Sequence, residues 1–134
     1  MQRIAFKNWF NRSHAYEIIY FNEPCLIPVK GFNFKLGHEF KVQVNNVLYR
    51  VFKDFETDLA SVPRPLWAIY SPNDTRTIKA AILHDYMYRF NTGLTRREID
   101  VIFYYGLLKG GCSRLHSWEY YLGVRAFGWM FYRK

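Results

Sequence analysis

His84 and Asp85 stand side by side in "AAILHDYMYR", residues 80–89, a run that is otherwise apolar or aromatic up to its terminal arginine. Histidine can take and return a proton near neutral pH, and a neighbouring carboxylate can hold a metal ion. Two ingredients of a hydrolytic site therefore occupy one helical turn. At helical spacing His84 and Tyr88 share a face, while Asp85 points about 100° away from His84. A third ingredient lies in "IDVIFYYGLL", residues 99–108, where Asp100 is the only charged residue. A carboxylate in such a segment is costly to bury unless it is paired or hydrogen-bonded. If the two segments form a helical hairpin across "NTGLT", residues 91–95, Asp100 comes close to His84 and Tyr88. Accepting from one imidazole nitrogen, it would orient His84 and leave the other nitrogen free as a base.

The stretch "TDLASVPRPLW", residues 57–67, can complete the constellation. Asp58 precedes a segment stiffened by Pro63 and Pro65, so its carboxylate can be presented at fixed geometry beside Asp85 as a second metal ligand. Ser61 is a hydrogen-bond donor or a nucleophile, although no Gly-x-Ser-x-Gly elbow surrounds it. Arg64 or Arg96 can stabilise developing negative charge. A purely structural reading accounts for the same residues. His84, Asp100 and Tyr88 can form a buried network that docks helices, with Asp100 paired to Arg96 one turn earlier or to Arg125. Asp58 is then a turn residue and Ser61 a local cap. Spacing alone leaves both readings open, and His14, His38 and His116, which lack comparable partners, are expected at the surface or in packing.

The elements that must position these residues follow from periodicity. "YEIIYF", "FKVQV" and "VLYRVF" read as strands, and Asn45-Asn46 between the last two suits a tight hairpin turn, so residues 16–55 are expected to form an antiparallel sheet. Residues 56–72 read as a proline-containing loop. Residues 73–134 read as about three helices. The first starts at a polar cluster, Asn73 to Thr75, and ends before Gly93; "TRRE", residues 95–98, is a capping box opening the second; Ser113 caps the third. The second is apolar on nearly every face and should be central. The expected architecture is α+β.

A chain of 134 residues suits one domain, here taken as 1–134. Twelve Phe, eleven Tyr and four Trp make 20% aromatic, more ring surface than a core of this size hides easily. Trp118, Tyr121, Leu122 and Trp129 in the third helix are most simply core, with a self-association or partner surface as the alternative. The net charge of +8 is spread along the chain, without paired zinc ligands or an RNP-type strand that would point to nucleic acid. Cys25 and Cys112 are not in a CxxC pair, which argues against a thiolate zinc site and leaves a disulfide between them open. No apolar run approaches a membrane span and no signal peptide is expected at the N-terminus, so synthesis in a cytoplasm is the expectation.

"TDLASVPRPLW", "AAILHDYMYR", "RREIDVIFYYGLL" and "VRAFG" together resemble the phage and prophage family called domain of unknown function 1353. The resemblance covers about residues 57–128 and implies Asp58, Ala60, Ser61, Pro63, His84, Asp85, Tyr88, Arg96, Asp100, Arg125 and Gly128 as its pattern positions. It also implies a bacteriophage or prophage origin, a host bacterial cytoplasm as the place of synthesis, and virion proteins as partners. Separately, "HDYMY" followed by Asp100 is similar in arrangement to the helix pair of secreted calcium-dependent phospholipases. That similarity implies His84 as base, Asp85 as ligand of a divalent ion, and Tyr88 with Asp100 as the pair orienting the histidine. It lacks that family's flanking cysteines and glycine-rich calcium loop. The expectations are a hydrolase acting on an envelope component, aided by calcium, magnesium or zinc, or a non-enzymatic tail or connector protein. An inhibitor that binds a host protein ranks below both.

Overall fold

A computed structural model describes residues 15–31, 33–59, 75–90, 92–130 and 132. The chain is α+β, with antiparallel strands before residue 58 and three helices after residue 77. Strands β1 (Ile18–Tyr20), β4 (Phe40–Val44) and β5 (Val47–Val51) form one sheet in the order β1-β4-β5. Strands β2 (Leu26–Pro28), β3 (Phe34–Leu36) and β6 (Glu56–Thr57) form a second in the order β2-β3-β6. The one sheet expected over residues 16–55 is thus two small ones. Proline explains part of the division: Pro24 precedes β2 and Pro28 ends it, and a residue without an N–H cannot extend a ladder. The chain leaves the second sheet for the first at Gly37, whose N–H donates to Cys25 O at 2.8 Å.

Alternation in β4 buries Phe40, Val42 and Val44 and turns Lys41 and Gln43 outward. The turn after it has Asn45 at φ 54°, the left-handed conformation that asparagine tolerates. Asn45 also holds β1 in register, because its N–H donates to Glu17 O at 2.8 Å and its Oδ1 accepts from Glu17 N at 2.9 Å.

Helix α1 (Ile78–Arg89) starts at Thr77, which makes no side-chain cap bond, while Asn73 and Asp74 of the expected capping cluster lie outside the described residues. Helix α2 (Arg96–Lys109) opens on the expected capping box: Glu98 N donates to Thr95 Oγ1 at 3.1 Å and Thr95 N donates to Glu98 Oε1 at 2.8 Å. Helix α3 (Arg114–Phe127) opens on Ser113, whose Oγ accepts from His116 N at 3.1 Å, and runs on into a 3-10 turn, Gly128–Met130. No helix among the described residues is long and apolar enough to cross a membrane. Cys25 and Cys112 are both free thiols, so they form no disulfide.

As its apolar character predicts, α2 is central, with α1 and α3 packed against it. Gly106 permits the closest approach. The Tyr20 hydroxyl of β1 donates to Gly106 O at 2.9 Å. A Cβ at position 106 would lie 2.8 Å from that hydroxyl and 3.1 Å from Ala80 Cβ of α1. Sheet and helices therefore meet where a side chain has no room. Replacing Gly106 by Val should destabilise the fold by about 1–3 kcal/mol through overpacking. Urea denaturation measures this, and an unchanged midpoint would mean that the three elements separate at little cost.

Candidate functional site

The Asp100 carboxylate is wholly buried at the junction of all three helices. Its Oδ1 lies 2.8 Å from His84 Nε2 and accepts from the Tyr88 hydroxyl at 2.6 Å, both partners coming from α1. Its Oδ2 accepts from Arg125 of α3 at 2.8 Å, and Arg96 Nε is 3.9 Å away. Sequence spacing left His84, Arg96 and Arg125 as alternative partners, and the structure brings all three to Asp100. Burial by itself pushes the Asp100 carboxyl up, but the hydrogen bonds from His84, Tyr88 and Arg125 outweigh it. The carboxyl is held below its ordinary range. Burial and the adjacent Asp100 charge raise the Tyr88 hydroxyl, which stays a proton donor.

An ionised carboxylate only accepts, so the proton between His84 and Asp100 belongs to Nε2. In the neutral imidazole the Nδ1 lone pair is then bare. Nδ1 is buried and, among the described residues, has no hydrogen-bond partner. The ring is held between Tyr88 and Phe103, with centroids 4.0 and 4.6 Å away. His84 is thus oriented on one side by a charged acceptor and left unpartnered on the other.

Asp85 faces a different neighbour. Its Oδ2 accepts from the Thr57 hydroxyl of β6 and from the Asp58 N–H at 3.2 Å. Thr57 Oγ1 in turn accepts from Leu59 N at 3.0 Å. Leu59 adopts φ +60°, uncommon for a branched residue and held here by these bonds. Asp58 therefore meets Asp85 through its backbone, as a turn residue would. A divalent ion at Asp85 and Asp58 would need several more oxygen ligands. Among the described residues no group of three or more His, Cys, Asp or Glu side chains stands ready to hold an ion. The donors that Asp85 accepts fit a docking carboxylate better than a metal ligand.

Arg96 is committed to its neighbours. Its guanidinium donates to Val124 O and Arg125 O at 2.7 Å each, satisfying carbonyls at the C-terminal end of α3, and its Nε donates to the Tyr88 hydroxyl at 3.2 Å. It acts as a positioning residue. Ala60, Ser61, Pro63 and Arg64 lie outside the described residues, as does His14. His38 and His116 are exposed, as expected.

Thr57 and Phe103 were not legible as part of the cluster. Thr57 carries no periodic or motif signal beyond standing next to Asp58, and Phe103 reads as one more core aromatic. Gly128 has a geometric role as well: a Cβ there would overlap the Tyr88 hydroxyl. The end of α3 can close over the cluster only without a side chain at that position.

A family model described as "Protein of unknown function (DUF1353)" matches residues 34–124, about two thirds of the chain. The chain belongs to that family. The match takes in the strands from β3 onward and most of the three helices, and so includes His84, Asp85, Tyr88, Arg96 and Asp100. No curated protein and no solved structure matches the chain.

Two expectations follow for stability. Asp100→Asn should cost about 3–5 kcal/mol, because it leaves half-buried Arg125 and the buried, oriented His84 without their anion. With its folded pKa depressed, Asp100 contributes fully above the unfolded value of about 3.9 and loses that contribution as pH falls through the folded value. The difference between wild type and Asp100→Asn in urea should therefore be largest at neutral pH and shrink in acid. Gly128→Ala should cost about 1–3 kcal/mol by displacing Tyr88. A thermal melt that matched wild type would show that the Tyr88 hydroxyl yields freely.

Proposed function

We propose that the protein is a phage-encoded hydrolase in which His84 is the general base, acting on an ester or amide of a cell-envelope component. The single observation that carries this reading is the buried His84 imidazole, bonded to Asp100 through Nε2 and unpartnered at Nδ1. A buried ring nitrogen without a partner is uncommon, and here it is the atom that a base needs free. In this mechanism Nδ1 takes a proton from water as the water oxygen attacks the carbonyl carbon, and the imidazolium returns that proton to the leaving group. Asp100 stabilises the imidazolium without taking its proton, while Tyr88 and Arg125 keep Asp100 ionised and in place. The phage origin and the envelope substrate rest on the motif resemblance, and activity on lipid or peptidoglycan is the assay that follows from them.

A second reading, a non-enzymatic virion component, is favoured by a different observation. His84 and Asp100 have almost no solvent exposure, and Asp85 is already hydrogen-bonded to Thr57 and Asp58. In that reading the cluster only docks helices, and exposed rings supply contacts to other virion proteins or to further copies of the chain.

Vesicles of phosphatidylethanolamine and phosphatidylglycerol, and purified peptidoglycan, test the first reading when incubated with the protein with and without calcium, magnesium or zinc. Release of fatty acid or of new amine or carboxyl groups is expected. His84→Gln should lower it by about 100-fold or more, the usual size of a general-base contribution, while circular dichroism stays unchanged. No release from either substrate, or equal release by a folded His84→Gln protein, would transfer the cluster to the second reading.

A further inference from the structure

Leu122 of α3 and Trp129 of the 3-10 turn, expected in the core, are exposed instead. So is much of the face of the β1-β4-β5 sheet that is turned away from the helices. An antiparallel sheet with one solvated face ordinarily alternates apolar inward and polar outward. Here the outward positions mix the two in rows across the strands. Register sets Ile19, Gln43 and Leu48 side by side in one row. In the next row Lys41 lies beside Arg50, with Phe21 on its other flank, where the Phe21 N–H donates to Lys41 O at 3.1 Å. Ile19, Phe21 and Leu48 are 36%, 52% and 47% exposed. An open groove of about 600 Å³ occupies this face, lined by Phe21, Asn22, Lys41, Gln43 and Leu48.

Most polar groups of the groove are already committed, and those left over define a ligand. Asn22 is held within the sheet: its Nδ2 donates to Glu39 O at 2.8 Å and its Oδ1 accepts from Lys41 N at 2.9 Å. Both carboxylate oxygens of Glu39 accept from the Arg50 guanidinium, at 3.0 and 3.1 Å. The half-buried Lys41 side chain therefore ends in an ammonium with no hydrogen-bond or ion-pair partner among the described residues. Gln43 Nε2 donates to Asn45 O at 2.8 Å, and an amide nitrogen has a second N–H to give. Phe21 and Leu48 flank these donors from the strands on either side of β4, one row apart. Their Cα atoms are thus about 12 Å from each other, which leaves room for one ring between the side chains.

We propose that this groove binds a small aromatic carboxylate, with its oxygens on Lys41 Nζ and Gln43 Nε2 and its ring between Phe21 and Leu48. One ammonium beside one free amide N–H matches a monoanion with two acceptor oxygens. A phosphate monoester would bring close to twice the charge against the same single cation. A neutral ring would gain nothing from Lys41, and a bare anion would leave Phe21 and Leu48 in water. The groove lies across the sheet from the Asp100 cluster, because Phe40, Val42 and Val44 on the opposite face of β4 are the residues in the core. The proposal is therefore independent of whether His84 acts as a base.

Naphthoate, with neutral naphthamide as its control, tests the proposal on the full chain. In amide nitrogen–proton correlation spectra, naphthoate should shift the signals of Phe21, Lys41, Gln43 and Leu48 saturably. Naphthamide should bind at least tenfold more weakly. Lys41→Gln should weaken naphthoate at least tenfold and leave naphthamide unchanged, whereas Leu48→Ser should weaken both. Circular dichroism should be the same for all three proteins, since both side chains project into solvent. The absence of saturable shifts at these residues overturns the proposal, and so does equal affinity for naphthoate and naphthamide. It also falls if Lys41→Gln binds naphthoate as wild type does. Signals that respond only to phosphatidylglycerol vesicles would assign the face to a lipid surface and overturn it as well.

Discussion

Removing the Asp100 carboxylate from water carries a cost that only hydrogen bonds and opposite charge can offset, and those come from three different helices. His84 and Tyr88 arrive from α1, Arg96 lies one turn away on α2 itself, and Arg125 reaches in from α3. Each helix can rotate or slide only as far as its partner still reaches one small group. Apolar packing alone sets no such limit, because contacts between leucines, valines and phenylalanines tolerate many rearrangements of similar energy. The ion thus specifies the docking, and the aromatic and aliphatic side chains around it supply the bulk of the burial.

The neighbouring residues His84 and Asp85 divide the same task between two directions. On a helix they are about 100° apart, so an imidazole and a carboxylate adjacent in sequence cannot both face one small group. His84 turns to α2, whereas Asp85 turns to β6 and takes the Thr57 hydroxyl and the Asp58 N–H. One turn of α1 joins the helical half of the molecule to the strand half. The same geometry separates the two groups chemically. Asp85 accepts from two donors at the strand, while His84 is bonded to Asp100 through Nε2.

The aromatic surplus also divides in two. Phe40, Phe55, Tyr104 and Tyr121 are buried, as rings of that size must be to stabilise a short chain. Phe21, Phe52, Phe90, Phe127 and Trp129 are exposed. Phe52 and Phe90 lie edge-on to each other, with centroids 5.8 Å apart, and both contact Phe55, so that patch is an outcrop of the core. The α3 face is of another kind, because its side chains project from the far side of a helix whose inner face is already satisfied.

Local signals were legible from the sequence. Alternation in "FKVQV", the Asn45 turn, the Thr95–Glu98 capping box, the Ser113 cap and the centrality of "IDVIFYYGLL" all depend on residues within a few positions of one another, and such interactions are written in order along the chain. The need of Asp100 for partners was equally legible, because a single carboxylate in an apolar helix violates a solvation rule whatever the fold. Tertiary structure alone decided how that need was met, since Arg125 and Gly128 lie 25 and 28 positions away. It also decided that the strands split into two sheets and that Thr57, with no signal of its own, would hold Asp85. The exposure of Leu122 and Trp129 was decided in the same way. Side-chain hydrophobicity tells how strongly a residue favours burial, but which face of α3 found a neighbour depended on how α2 was already occupied.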